Sequence, residues 1–217
     1  MHLQTKIFQS AQAYPTIFQQ MKDFTTSRLA DTQDQLWLLE HLPVFTQGQA
    51  GKQEHILNPG TIEITQSDRG GQVTYHGPGQ LMIYVLWDVK RLGLTVKSLV
   101  CLLESFVISL LAKYSITAHC IAGAPGIYVE NKKIASLGLR IKKGACYHGI
   151  SLNVAMDLEP FSRINPCGFK NLEMTQIAAY RSDISLTQVQ TDILNIIQDW
   201  HKNKAATICS TLNTNPT

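Results

Sequence analysis

The sequence predicts a mixed α/β domain with largely antiparallel strands and flanking helices. Three observations predict it. Apolar residues recur at helical spacing from Thr95 to Leu111 and again from Leu186 to Trp200. The middle of the chain carries several short runs with the period or the apolar density of strands. With 217 residues, the chain is long enough to bury a sizeable core, as one large domain or a domain with an appendage.

Leu36-Trp37-Leu38-Leu39-Glu40-His41 follows a polar stretch and reads as the end of a helix, stopped by Pro43. Val44-Phe45-Thr46 then reads as a strand. Residues 61–65 alternate, with Ile62 and Ile64 on one face, and Leu81 to Trp87 reads as a more buried strand. Thr95 caps a helix with Val96, Leu99, Leu103, Phe106, Val107, Leu110 and Leu111 as its apolar positions. Gly126 to Glu130 and Lys133 to Ile141 form a predicted β-hairpin around Asn131-Lys132, and Tyr147 to Ala155 supplies a further strand. Leu186, Val189, Ile193, Leu194, Ile197 and Trp200 share one side of the last helix. A single domain over residues 1–202 is then followed by a Thr-, Asn- and Ala-rich stretch, 203–217, expected to be frayed or disordered.

Hydrophobic residues make up 44% of the chain and charged residues 16%, the balance of a globular protein. The net charge is +3 with no block of five basic residues, which argues against nucleic acid as a partner. The five cysteines include no C-x-x-C pair, so neither a zinc site nor a disulfide framework is expected. Cys101, Cys120 and Cys146 read as small buried hydrophobes, and Cys209 as incidental to the tail. The N-terminus lacks a charged region followed by an apolar core. The longest apolar stretch, residues 99–112, is interrupted by Glu104 and too short to span a bilayer. The expected setting is a reducing cytoplasm without membrane association.

Four segments could carry chemistry. In Ile164-Asn165-Pro166-Cys167-Gly168, Pro166 fixes its own φ and Gly168 permits a left-handed backbone, so Cys167 is presented on a rigid turn. Lys133 opens the run Lys133-Ile134-Ala135-Ser136-Leu137-Gly138. Taken alone it reads as a solvated lysine beside a hairpin, although the small residues after it leave room for another group, and Gly138 suggests close approach. Arg69-Gly70-Gly71-Gln72-Val73-Thr74-Tyr75-His76-Gly77-Pro78-Gly79-Gln80 is either a surface turn between strands or a loop whose backbone approaches a ligand. It lacks the spacing of a phosphate-binding loop. In Tyr147-His148-Gly149-Ile150-Ser151-Leu152-Asn153, His148 reads as a satisfied structural histidine at a strand entry, or the segment walls a pocket. A thiolate near an ammonium is a ready nucleophile, so acyl transfer through a thioester is the leading expectation.

With Leu36 to His41 and Val44-Phe45-Thr46-Gln47-Gly48, these motifs run in order over roughly residues 14–200. In them the chain resembles the lipoyl(octanoyl) transferases of lipoate biosynthesis, the octanoyl-acyl-carrier-protein:protein octanoyltransferases. The resemblance implies a fold related to the catalytic domains of biotin and lipoate protein ligases. It implies that Cys167 takes octanoyl, or lipoyl, from acyl carrier protein as a thioester. The acceptors implied are a lysine of the lipoyl domains of 2-oxo acid dehydrogenase acyltransferase subunits, and the glycine-cleavage carrier protein. Lys133 matches the family's partner lysine. The substrate-binding stretches carried over are Arg69, Gly70, Gly71, Gln72, Val73, Thr74, Tyr75 and His76; Ser136, Leu137 and Gly138; and Gly149, Ile150 and Ser151. No cofactor or metal is implied.

Such a reaction needs a thiolate, an oxyanion site and an apolar slot. An ammonium within reach of Cys167 favours the thiolate and could relay protons. Backbone N–H groups near Ser136 to Gly138, or near Cys167, are candidates for the oxyanion site. Seven carbons beyond the carbonyl, at about 0.8 kcal/mol per buried CH₂, supply roughly 5 kcal/mol of chain binding. Three other readings stay open: an ATP-dependent lipoate or biotin protein ligase of the same fold, which needs no Cys167; a non-catalytic docking subunit; and a cysteine hydrolase pairing Cys167 with His148.

Overall fold

The computed structural model describes residues 3–170 and 172–213, with side chains described as far as residue 204. The chain runs β1 (Gln4–Ile7), α1 (Tyr14–Thr26), β2 (Gln35–Leu39), β3 (Val44–Gln47), β4 (Glu63–Gln66), β5 (Val73–His76), β6 (Gln80–Leu86), α2 (Val96–Lys113), β7 (His119–Ile121), β8 (Ala124–Val129), β9 (Lys132–Lys142), β10 (Ala145–Asn153) and α3 (Leu186–Asn213). Short 3-10 turns occupy the long connection between β10 and α3.

Seven strands form the main sheet in the order β1-β2-β6-β10-β9-β8-β7, and β4-β3-β5 form a second, small one. In the main sheet only β1 and β2 are parallel. Central strand β6 shows how the layers arise. Leu81, Ile83 and Val85 enter the core beneath α2 and α3, whereas Met82, Tyr84 and Leu86 enter the cluster beneath α1. The strand period of two thus feeds two cores from one wholly buried strand. A third cluster, around Phe45, Val73, Tyr75, Phe161 and Ile164, closes the small sheet.

The helices follow the expected spacing. Thr95 and Ser98 form a reciprocal capping box at the start of α2, and every apolar position named above for that helix except the first is buried. Val96, in the first turn, is 53% exposed and lines the cavity described below. On α3, Val189, Ile193 and Ile197 are buried, and Leu186, Leu194 and Trp200 pack beside them.

Several sequence expectations are corrected. Leu36 to Leu39 is strand, not the end of a helix: Leu36 and Leu38 join one core, while Trp37 and Leu39 join the other. A short run that is apolar at every position has no distinguishing period, which is why it misleads. The hairpin turns at Glu130-Asn131, one residue early, with Glu130 at φ +54° and Val129 paired with Lys132. β4 starts at Glu63, and Ile64 is exposed because that edge of the small sheet faces outward. Of the supposed buried cysteines, only Cys146 is buried; Cys101 on α2 and Cys120 on β7 are exposed. Burial pushes the Cys146 thiol up to about 12. Helix α3 continues to Asn213, since neither Gly nor Pro intervenes to stop it. Residues 214–217 and the Cys209 side chain lie outside the described residues.

Candidate active site

A cavity of about 440 Å³ opens between α2, the main sheet and the small sheet. It brings together Cys167, Lys133, the start of the glycine-rich loop and the facing segments of β9 and β10.

Cys167 sits in a 3-10 turn, Pro166–Gly168, with its own φ at +56°. Left-handed backbone at a non-glycine residue costs of order 1 kcal/mol. The turn is tied down by Gly168 N–H donating to the Asn165 carbonyl (3.0 Å) and Asn165 N–H donating to the His55 carbonyl (2.8 Å). The thiol is half-buried and is the acceptor of the Lys133 Nζ hydrogen bond, at 3.3 Å.

Lys133 is 1% exposed, which corrects the solvated reading. Its backbone is clamped by the segment after Cys167: Lys133 N–H donates to the Glu173 carbonyl, and Thr175 N–H donates to the Lys133 carbonyl. Its neighbour Lys132 does take the solvated role, paired with Glu173 at 2.9 Å. The Tyr128 ring lies 5.3 Å from Lys133 Nζ.

The two short stretches singled out separately are cross-strand neighbours. Ser136 pairs with Ser151, Leu137 with Ile150, and Gly138 with Gly149. Their small residues leave the space that the cavity occupies.

The glycine-rich segment is no surface turn. Arg69 is buried and reaches across to β3: Nε donates to Thr46 Oγ1 (3.1 Å), and Nη2 donates to the Thr46 carbonyl (2.6 Å) and the Gln72 carbonyl (2.8 Å). Gly70 N–H donates to the Leu139 carbonyl, fixing the loop to β9. From Val73 the segment is β5, so its side chains alternate. Thr74 and His76 reach the cavity, while Val73 and Tyr75 turn into the third core cluster.

His148 stands in the middle of β10, not at its entry, with φ +63°. Its Nε2 lies 2.9 Å from Asp68 Oδ1, and Tyr147 donates its hydroxyl to Asp68 Oδ2. Burial alone would raise the Asp68 carboxyl, but the His148 and Tyr147 hydrogen bonds outweigh it and hold the group below its usual range. A carboxylate only accepts, so Nε2 carries the proton; Nδ1 has no partner among the described residues. Burial lowers His148 and keeps it neutral. His41 is pushed down to about 4 and His76 well below its ordinary value, again chiefly by burial. Gln80 Oε1 takes the Nδ1–H of His76, and Thr46 bonds its Nε2. The pairing His148–Leu139 puts His148 six residues along β9 from Lys133, about 20 Å at strand rise. Both His148 and Cys167 line the cavity, and the His148 ring is bonded to Asp68, not to the thiol.

Residues 14–198 match the family described as lipoyl protein ligase A/B catalytic domain. The chain belongs to this family. An octanoyltransferase of Legionella pneumophila (strain Lens) is 59% identical over 176 residues, covering 81% of this chain and 88% of that protein. One from Klebsiella pneumoniae is 59% identical over 170 residues, covering 78% and 79%. A solved structure of a T. acidophilum protein described as a putative lipoate protein ligase superposes with TM-score 0.77 at 15% identity, over 98% of this chain and 94% of that one. Biotin protein ligase of Aquifex aeolicus, in complex with biotin and ATP, superposes with TM-score 0.56 at 12% identity, over 90% and 69%. The fold is therefore that of the lipoate and biotin protein ligases.

Within this family member, Tyr14, Tyr84 and Phe169 line the cavity, and Asp68 stands behind it, bonded to His148, although no sequence reading singled them out. Tyr14 stacks on His76 at 5.9 Å and 8° between planes, and Tyr84 donates to His41. Asp68, immediately before Arg69, carried the one available signal: a carboxylate flanking a glycine-rich run.

Proposed function

We propose that this protein is an acyltransferase that moves an octanoyl group, through a thioester on Cys167, from acyl carrier protein to a lysine of lipoyl domains. The observation that carries this reading is the 3.3 Å approach of the buried Lys133 ammonium to the Cys167 thiol in the lining of an apolar cavity. Relatives at 58–59% identity that bear the name octanoyltransferase support it.

Cys167 attacks the carbonyl of the donor thioester as the thiolate, which a neighbouring ammonium favours. The carrier's thiolate leaves and takes a proton from Lys133. One thioester is exchanged for another, so this half is near balance and needs no nucleotide. In the second half, Lys133 removes a proton from the incoming amine, the amine attacks, and the Cys167 thiolate departs. An amide replaces a thioester, and this half runs downhill. The octanoyl chain lies along β9 and β10 past Ser136, Gly138, Gly149 and Ser151. For the oxyanion, β8 pairs with β9 only as far as Ala135, leaving the outer edge of β9 from Ser136 beside the cavity. Gly168 and Phe169 spend their N–H groups inside their own turn.

Among the described residues no helix is long and apolar enough to cross a membrane; a reducing cytoplasm remains the expected setting. The test is the intact mass of the protein after mixing with octanoyl-acyl carrier protein without ATP. A single hydroxylamine-sensitive octanoyl adduct, lost in Cys167→Ser and discharged onto a lipoyl domain, is expected. Modification that appears only with free acid and ATP would move the protein to the ligase reading.

A further inference from the structure

Helix α2 turns an apolar face to the sheet with one exception. Glu104, between Leu103 and Phe106, is 8% exposed. Burying a carboxylate is costly unless it is bonded, and Glu104 forms no ion pair among the described residues. Its Oε1 instead accepts the backbone N–H of Gly126 at 3.1 Å.

What that N–H belongs to gives the bond its meaning. Gly126 holds φ +129°, a conformation that residues with a side chain rarely adopt. A Cβ there would overlap Lys133 Cε and stand 3.1 Å from Lys133 Nζ. The backbone of β8 thus lies directly against the end of the lysine side chain, with the Tyr128 ring nearby. Gly126 falls in the irregular part of the ladder. Pairing with β9 begins at Ile127 and shifts register between Ile127 and Tyr128. Pairing with β7 shifts between Cys120 and Ile121 and passes Gly126 by. Pro125, just before it, has no N–H to offer. The Glu104 carboxylate is the anchor at this point.

We propose that Glu104 is a positioning residue for acyl transfer: by fixing Gly126 against Lys133, it keeps the ammonium on Cys167. The idea rests on the Cys167–Lys133 chemistry proposed above, yet one of its readouts needs no substrate. That readout is iodoacetamide alkylation of Cys167 at pH 7, followed on its own peptide so that exposed Cys101 and Cys120 do not count. Glu104→Ala is expected to slow it several-fold and to lower kcat for octanoyl transfer about tenfold, with KM for both carriers unchanged. Glu104→Gln keeps an acceptor oxygen and is expected to restore most of both. Should Glu104→Ala not fold, Glu104→Met, which fills the volume without an acceptor, goes through the same assays. Unchanged alkylation and kcat in the acceptor-less variant would overturn the proposal, and so would equal losses in Glu104→Gln. A wild type that forms no octanoyl adduct sinks the proposed transfer alone, because the alkylation comparison still reports on Glu104.

Discussion

Lys133 Nζ lies 3.3 Å from Cys167 Sγ, although 34 positions separate the two residues in the chain. The contact is held by backbone on both sides: Glu173 and Thr175, just beyond the cysteine turn, clamp Lys133 to the segment that carries Cys167. Replacing Lys133 by Met keeps length and apolar bulk but removes the ammonium. Octanoyl adduct formation is expected to slow at least about a hundredfold, and alkylation of Cys167 at pH 7 to slow with it. An adduct rate equal to wild type would remove Lys133 from the mechanism.

Arg69 serves the loop before it serves any substrate. Its guanidinium satisfies the carbonyls of Thr46, Gly70 and Gln72 and the Thr46 hydroxyl in one planar fan. A lysine has a single nitrogen and cannot span them. Arg69→Lys is expected to lower stability by about 3 kcal/mol through unpaired buried acceptors, read as a fall in the urea midpoint. A midpoint equal to wild type would show that the fan is dispensable.

The family resemblance assigns Gly149 to a substrate-binding stretch, and it lines the cavity. Its missing side chain also serves the sheet, since a Cβ there would overlap the Ile83 carbonyl oxygen on β6. Gly149→Ala is expected to cost about 3 kcal/mol by forcing the two central strands apart. Thermal unfolding measures it, and an unshifted Tm would contradict the geometry.

Acid should destabilise the fold before the carboxylates titrate. Burial holds His41 at about 4, against 6.5 for a free imidazole, and lowers His76 and His148 as well. Between those values the unfolded chain binds protons that the native state does not. Stability is therefore full above pH 6.5 and falls as pH drops toward 4, by about 3 kcal/mol from His41 alone. Asp34 and Asp68, held below their ordinary range, lose their contribution only below about pH 4. Urea unfolding at pH 7 and pH 5 tests this, and equal midpoints would contradict it.

Much of the site was legible because short segments carry their own chemistry. Pro166 and Gly168 bracket a cysteine that only a turn accommodates, and the structure has that turn. Small residues after Lys133 announced space, and the cavity occupies it. Asp68 and Glu104 were not legible. One precedes a loop and the other interrupts an apolar helix, and each gains its role from a partner 80 or 22 positions away. Leu36 to Leu39 misled for a related reason: which layer each apolar side chain enters is decided by helices elsewhere in the chain.

By itself, then, the sequence determined that Cys167 rides on a turn, that α2 is a capped helix and that the middle is strand-rich, all of which follow from local backbone preference and periodicity; Lys133 was singled out by the family resemblance of its motif. Only the tertiary structure decided that Lys133 is buried against Cys167, that residues 136–138 and 149–151 face each other, and that His148 is bonded to Asp68. Those are matters of strand register and layer packing, set by contacts between residues distant in the chain, which no local pattern encodes.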